Sequence, residues 1–180
     1  MLIEAARSLF LLVDVQENLG PVMAEPRPVY RNCALLLRAA ARLDIPVIVS
    51  EQYPKGLGHT LGELRDLAPA GAVMEKMHFS CAAEPTIAER VRASGRDQIV
   101  VAGIEAHVCV LQTALGFKAA GYDVFVAGDA CSSRVAANHA SALARMTANG
   151  IDVAASESVV FEWLHVAGTP QFKDLIALIK

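Results

Sequence analysis

Short apolar runs recur along the chain, and longer amphipathic segments separate them. Four of the runs, among them "LFLLVDV" and "QIVVAGI", are nearly continuous rather than alternating, which is typical of strands covered on both faces. The pattern predicts strands at residues 9–15, 46–50, 72–76, 98–104, 123–129 and 151–156.

The segments between the runs have helical spacing. In "VYRNCALLLRAAARL", Leu36, Ala40 and Leu43 share one face and the arginines lie elsewhere. Other segments close with a glycine suited to the left-handed position after a helix. The pattern predicts helices at residues 29–43, 84–95, 107–121 and 134–150.

Alternating strands and helices favour a parallel sheet with right-handed crossovers and helices on both faces. We therefore expect the α/β class, as a three-layer α/β/α sandwich whose six parallel strands lie in the order 3-2-1-4-5-6. No repeat or linker divides the chain, so residues 1–180 are expected to form one domain. The glycine-containing stretch at 51–70 is a candidate active-site loop.

Composition and charge exclude several classes of protein. The chain is 54% hydrophobic and 19% charged with a formal net charge of -3, which excludes disorder and leaves no basic stripe for nucleic acid. No apolar run reaches the roughly 20 residues of a membrane span, and the first residues lack the features of a signal peptide. The four cysteines form no C-x-x-C pair, which favours free thiols and a cytoplasmic protein.

Polar side chains follow the predicted strands, where open α/β sheets bind ligands. Asp14 ends the first strand, Lys76 the third, and Cys109 follows the fourth at the start of a helix. The helix dipole and the lysine are expected to lower the pKa of the Cys109 thiol. Asp14 would accept its proton, and backbone N–H groups of "GIEAHVC" would stabilise an oxyanion. This combination indicates acyl transfer.

Longer strings carry a family resemblance. "LLVDVQ", "EKMHFS" and "VVAGIEAHVCVLQTALGFKAAGYDVFVAGDACSSR" resemble the isochorismatase-like cysteine hydrolases, which include nicotinamidases, N-carbamoylsarcosine amidases and isochorismatases. "SEQYPKGLGHT", "GDACSSR" and "PQFKDLIALIK" are more similar to the isochorismatase-domain-containing branch, whose physiological substrate is generally unassigned. The resemblance spans essentially the whole chain.

The resemblance implies roles for individual residues. Asp14, Lys76 and Cys109 match the catalytic aspartate, lysine and nucleophile of the family. It implies an oxyanion hole made by the backbone amides of Glu105 and Cys109, and a cis peptide bond before Glu105. The residues that correspond to the substrate pocket wall are Gln16, Tyr53 and Phe79.

Departures from the family also matter. Nicotinamidases follow the second strand with an aspartate and histidines that hold a metal, whereas this chain has only His59 there. We therefore expect no metal and no cofactor. True isochorismatases cleave a vinyl ether without a nucleophilic thiol, so Cys109 favours hydrolysis of a C–N bond.

Several polar residues have simpler interpretations. His107 is interpreted as a pocket-wall or structural residue, and Glu51 as a hydrogen-bonding residue within its loop. The other cysteines are expected to be packing residues. Turn and helix-cap roles before the helix at 134–150 are predicted for Asp129, Ser132, Ser133 and Arg134.

Three functions stay open on these residues. The first is a hydrolase that cleaves an amide or ureido bond of a small molecule through a thioester. The second is an ether hydrolase in which Asp14 is the acid and Cys109 is incidental. The third is a binding protein that keeps the fold and a vestigial pocket. A homo-oligomer is expected, because the chain is richer in apolar residues than an average domain.

Overall fold

The computed structural model describes residues 1–179, whose strands form one parallel sheet with helices on both faces. The strand order is β3-β2-β1-β4-β5-β6, as predicted. The strands are β1 Ser8–Val13, β2 Val47–Gln52, β3 Val73–Lys76, β4 Gln98–Ile104, β5 Asp123–Ser132 and β6 Asp152–Ala154.

Helices overlap all four predicted segments, and others were not predicted. The short helices in the 51–70 loop are only four residues long, so they show no periodicity in the sequence. The helices are α1 Pro26–Arg42, α2 Pro54–Leu57, α3 Gly62–Arg65, α4 Pro85–Ala93, α5 Leu111–Ala119, α6 Ala136–Ala148, α7 Ser156–Leu164 and α8 Pro170–Ile179. A π-helical turn, Ala106–Val110, leads into α5.

The sheet separates two apolar layers. In β1, Phe10 and Leu12 pack with α1 and α7, whereas Leu9, Leu11 and Val13 pack with α4, α5 and α6. All five side chains are almost completely buried, and each contributes about 1.5–3 kcal/mol through its removal from water. Burial of both faces explains why the predicted strands lack alternation.

Close packing of β1 against β4 depends on Gly103. This residue pairs with Val13 and has a φ of 124°, a conformation that favours glycine. A Cβ atom there would lie 2.1 Å from the Val13 carbonyl oxygen. Glycine therefore lets the end of β4 lie directly beside the end of β1.

No helix in residues 1–179 has both the length and the apolar character that a membrane crossing requires.

Candidate active site

The strand order brings the three predicted catalytic residues to one edge of the sheet. Asp14 follows β1 at the centre, Lys76 ends β3, and Cys109 lies in the π-helical turn after β4. Asp14 has a φ of 53°, a left-handed conformation that aspartate tolerates better than most residues. Each of the three residues is at most 5% exposed to solvent.

Asp14 and Lys76 form a buried ion pair. Lys76 Nζ lies 2.7 Å from Asp14 Oδ2, and both side chains are 0% exposed. Ser50 Oγ donates to the other carboxylate oxygen, Oδ1, at 2.7 Å. Charge-assisted bonds of this kind compensate two charges that burial would otherwise disfavour.

The Lys76 ammonium group has more acceptors than protons. It donates to Asp14 Oδ2 at 2.7 Å, to Gln52 Oε1 at 2.6 Å, and to the carbonyl oxygens of Phe79 and His78 at 3.1 and 3.2 Å. Four acceptors surround three N–H groups. Lys76 therefore has no free proton for a substrate, and it acts through its charge on the groups beside it.

The pKa values of this pair follow from burial and charge. Burial raises the pKa of Asp14, while the Lys76 ammonium and the Ser50 hydroxyl oppose that rise. Burial is the largest influence and opposes the charge on Lys76, but Asp14, Cys109 and Cys81 together outweigh it, so the pKa of Lys76 lies above its usual range. Lys76 is thus held as an ammonium group at neutral pH.

The expectation of a lowered pKa for Cys109 is wrong. Burial raises the pKa of this thiol, the Asp14 carboxylate raises it further, and Lys76 lowers it only in part. The helix start cannot offset the loss of solvation at a residue that is 5% exposed. Cys109 therefore rests as a neutral thiol next to the carboxylate.

The predicted oxyanion turn has the implied backbone form. The peptide bond between Ile104 and Glu105 is cis. Among residues 1–179, no hydrogen-bond acceptor is found for the Glu105 N–H. Cys109 lies within the first turn of its helix, where N–H groups lack partners at the preceding turn. Both amides lie on the turn that carries the thiol.

The three predicted pocket-wall residues differ in exposure. Tyr53 and Phe79 are 48% and 54% exposed, so their side chains can meet a ligand. Gln16 is 0% exposed. Its amide nitrogen donates to the carbonyl oxygens of Gln52 and Gly58, and its amide oxygen accepts from the Gln52 N–H. Gln16 therefore holds the loop after β2, and its contact with a substrate stays a prediction.

Some neighbours of the candidate catalytic groups were not predicted. Ser50 and Gln52 bond to Asp14 and Lys76, and both come from β2, which lies between β1 and β3. Alternation along β2 and its register with its neighbours could have identified them. Cys81 lies near the same charges, and burial, with Asp14 next, raises the pKa of its thiol to about 11.

The predicted helix-cap roles are wrong for α6, which has no side-chain cap. Asp129 instead caps α7, where it accepts from the N–H and the hydroxyl of Ser156 at 2.7 and 2.8 Å. Ser132 donates to the Ala24 carbonyl oxygen. Proximity in sequence suggested a cap for α6, but the chain folds these side chains towards other elements. Ser133 and Arg134 contact the turn that carries Cys109.

Glu51, near the end of β2, and His59, in the loop that follows, lie close together. Glu51 accepts from the N–H and the hydroxyl of Thr60 at 2.6 and 2.8 Å, and its other oxygen lies 3.1 Å from His59 Nδ1. Burial would raise the pKa of Glu51, but these bonds lower it. Glu51 is thus committed to its own loop.

We predict that the purified protein needs no metal. Within residues 1–179, no three side chains of histidine, cysteine, aspartate or glutamate are grouped as ligands. Elemental analysis of the purified protein, with a buffer blank as control, measures this. One equivalent of tightly bound zinc, iron or manganese would overturn the interpretation of the 51–70 loop.

Alkylation of Cys109 by iodoacetamide is predicted to depend on ionised Asp14. Because burial raises the pKa of Asp14, acidification should slow labelling at a higher pH than for an ordinary aspartate. In Asp14→Asn this acid limb should be absent. Mass-mapped labelling between about pH 4 and about pH 9 tests both points. Faster labelling of Cys33, Cys81 or Cys131 would contradict the choice of nucleophile.

Comparisons with known proteins agree on one family. A sequence model described as the isochorismatase domain matches residues 8–158. "Isochorismatase domain-containing protein 1" of Salmo salar is 38% identical over 175 residues, which cover 97% of this chain and 62% of the salmon protein. The chain therefore spans about three fifths of that relative. "Secreted isochorismatase effector Isc1" of Phytophthora sojae is 35% identical over 178 residues, covering 96% and 84%.

Solved structures show the same fold. The MAR1 ribonuclease from Caenorhabditis elegans superposes with a TM-score of 0.93 at 32% identity, covering 99% of this chain and 92% of the other. The YcaC gene product from Escherichia coli, described as an octameric hydrolase of unknown specificity, has a TM-score of 0.90 at 24% identity and covers 99% and 87%.

Proposed function

This chain belongs to the isochorismatase family of hydrolases, and from that premise we propose that it cleaves a C–N bond, in an amide or ureido group, through a thioester on Cys109. The observation that carries the proposal is the fully buried Asp14–Lys76 pair, 2.7 Å apart, whose charges act on the Cys109 thiol. Burial of two charges costs free energy that packing alone would not require. A catalytic role accounts for their presence.

In the proposed reaction the neutral thiol transfers its proton to Asp14 as Cys109 Sγ attacks the carbonyl carbon. The carbonyl oxygen becomes an oxyanion that the N–H groups of Glu105 and Cys109 stabilise. The intermediate collapses, the C–N bond breaks, and Asp14 returns the proton to the leaving nitrogen. Water then hydrolyses the thioester and regenerates the thiol. Lys76 keeps Asp14 ionised between these steps.

The substrate of the proposal is a small neutral or weakly charged molecule. Tyr53 and Phe79, whose backbones hydrogen-bond to Lys76, offer exposed aromatic surface near the buried ion pair. The neighbour from C. elegans is named a ribonuclease, but a net charge of -3 with basic residues scattered along the sequence favours a small molecule over RNA as the substrate. Ether hydrolysis with Asp14 as acid is the alternative, and the buried thiol favours the thioester route.

The proposal also includes the domain organisation, cellular location and oligomeric state of the enzyme. The proposal takes residues 1–180 as one domain without a cofactor. Four free thiols support a cytoplasmic protein, although one relative is secreted. Exposed apolar side chains in and just after β3, such as Val73 and Met77, support a homo-oligomer.

A panel of small amides and ureido compounds, with ammonia detection, tests the reaction class. Hydroxylamine added during turnover should divert a thioester to a hydroxamate, which an ether hydrolase would not form. A protein with Cys33→Ala serves as control, because Cys33 is buried in the other apolar layer. Ammonia release without dependence on Cys109 would contradict the thioester route.

A further inference from the structure

The turn between β4 and the nucleophile is held by the connection between β5 and α6. Arg134 Nε donates to Glu105 Oε1 at 2.9 Å, and the Arg134 backbone N–H donates to Glu105 Oε2 at 3.1 Å. The preceding residue, Ser133, has its Oγ 2.9 Å from Nδ1 of His107. Two successive residues of one connection thus hold two residues of the turn before Cys109.

The Glu105 carboxylate is buried, so it depends on its hydrogen bonds to Arg134. The Glu105 side chain is 7% exposed, while the Arg134 side chain is 61% exposed. A carboxylate withdrawn from water needs strong donors, and a guanidinium group supplies them in a fixed direction. Arg134 therefore fixes the orientation of Glu105 from outside, and His107 Nδ1 lies 3.8 Å from the same carboxylate.

We propose that Arg134 is a positioning residue for the oxyanion hole. It holds the Glu105 carboxylate, so that the Glu105 N–H, four residues before the nucleophile, keeps a fixed direction towards the reacting carbonyl oxygen. Arg134 does not contact the substrate in this inference. The inference rests on the proposed function, because it requires an oxyanion to form beside Cys109.

Two probes separate this role from a general structural one. With p-nitrophenyl acetate, Cys109 Sγ attacks the carbonyl carbon, an oxyanion forms, and p-nitrophenolate leaves as the acetyl thioester forms and Asp14 takes the thiol proton. With iodoacetamide, Sγ displaces iodide from a saturated carbon, so an S–C bond forms, the thiol proton goes to Asp14, and no oxyanion develops. Only the first reaction depends on the oxyanion hole.

Arg134→Leu is expected to slow acetylation of Cys109 by about tenfold, because misplacing a catalytic group by about 1 Å can cost up to about a hundredfold. The Arg134 backbone N–H still holds Glu105 in this variant, which limits the loss. Alkylation by iodoacetamide should stay within about twofold of wild type. Arg134→Lys keeps the charge but lacks the guanidinium geometry, so it should restore part of the acetylation rate.

Arg145→Leu is the matched control, because Arg145 is an exposed arginine later in α6. It should react with both probes like wild type. Glu105→Gln should also slow acetylation, since one amide N–H would then face an Arg134 donor. If the two residues act as one unit, Glu105→Gln with Arg134→Leu should lose no more than the slower single variant.

The outcomes distinguish the two proposals. If wild type shows no acetylation of Cys109, the proposed function fails and this inference fails with it. If wild type is acetylated and Arg134→Leu matches it, the inference alone is overturned. Equal slowing of both probes also overturns it, because the defect then lies in the thiol or the fold. Mass spectrometry of the modified Cys109 peptide gives both rates.

Discussion

Cys109→Ala is expected to abolish turnover of any amide substrate, since no other group can form the thioester. Loss of a nucleophile that acts with its base typically removes nearly all of the catalysis that the whole unit provides. Asp14→Asn should slow acylation by about 10²- to 10⁴-fold, the usual contribution of a positioned base. Steady-state rates on a substrate from the amide panel measure both losses.

The losses of rate in Cys109→Ala and Asp14→Asn should not add. Asp14 has value for the reaction only as the acceptor of the Cys109 proton, so the double variant should be no slower than Cys109→Ala. Asp14→Asn should fold and bind substrate, because Lys76 keeps the acceptors Gln52 Oε1, His78 O and Phe79 O. Substrate binding by Asp14→Asn, followed by slow acylation, separates proton transfer from folding.

Cys33→Ala is the control for removal of a buried thiol. Its thiol donates to the Ala130 carbonyl oxygen at 3.4 Å, in the apolar layer opposite the one that holds Cys109. Turnover of this variant should match wild type. Near-normal amide turnover by Cys109→Ala would refute the thioester route. An ether substrate gives the opposite pattern, in which Asp14→Asn is inactive and Cys109→Ala keeps most of its activity.

The fold and the grouping of the candidate catalytic residues at one edge of the sheet could be predicted because they depend on local patterns. Continuous apolar runs indicated strands buried on both faces, and the order of those strands brought Asp14 and Cys109 together. Lys76 as a lone strand-end lysine would have been interpreted as a solvated side chain, and its position at a strand end on the same edge of the sheet as Asp14 and Cys109 singled it out. Each of these inferences needed only residue type and position along the chain.

Other properties of the site depend on burial, charge and contacts between residues that are distant in sequence, and the sequence alone does not give these. The pKa of Cys109 results from burial, a carboxylate and an ammonium group together, and burial prevails. Gln16 lies at a strand end like Asp14, yet its amide is used by the backbone of the loop after β2. Arg134 precedes a helix, which suggested a cap, but its partner Glu105 is 29 positions away.

Lys76→Met is expected to destabilise the protein more than Asp14→Asn does. Both partners of the pair are 0% exposed. Without Lys76, Asp14 would keep the Ser50 hydroxyl and the Cys109 thiol as neighbours, which carry no positive charge. Breaking a buried pair by removing one partner typically costs about 3–5 kcal/mol, because it leaves an uncompensated charge. Lys173→Met, at an exposed lysine of α8, is the matched control.

The loss in Lys76→Met should also depend on pH. Burial already raises the pKa of Asp14, and removing the ammonium group that opposes this would raise it further. A carboxyl group whose pKa is higher in the folded than in the unfolded state stabilises the fold when protonated, below its unfolded pKa, and this stability is lost as pH rises through the folded pKa. The variant should therefore approach wild-type stability in acid and fall furthest below it in alkali.

Urea unfolding of wild type, Lys76→Met and Lys173→Met at about pH 5 and about pH 8 measures this difference. A double variant with Asp14→Asn and Lys76→Met should regain stability at the higher pH, because it removes the buried charge, yet it should stay inactive, because no proton acceptor remains for Cys109. A loss in Lys76→Met that is the same at both pH values would show that Asp14 does not carry the charge that Lys76 compensates. The mechanism proposed for this site would then be contradicted, because it requires an ionised Asp14 to accept the proton of Cys109.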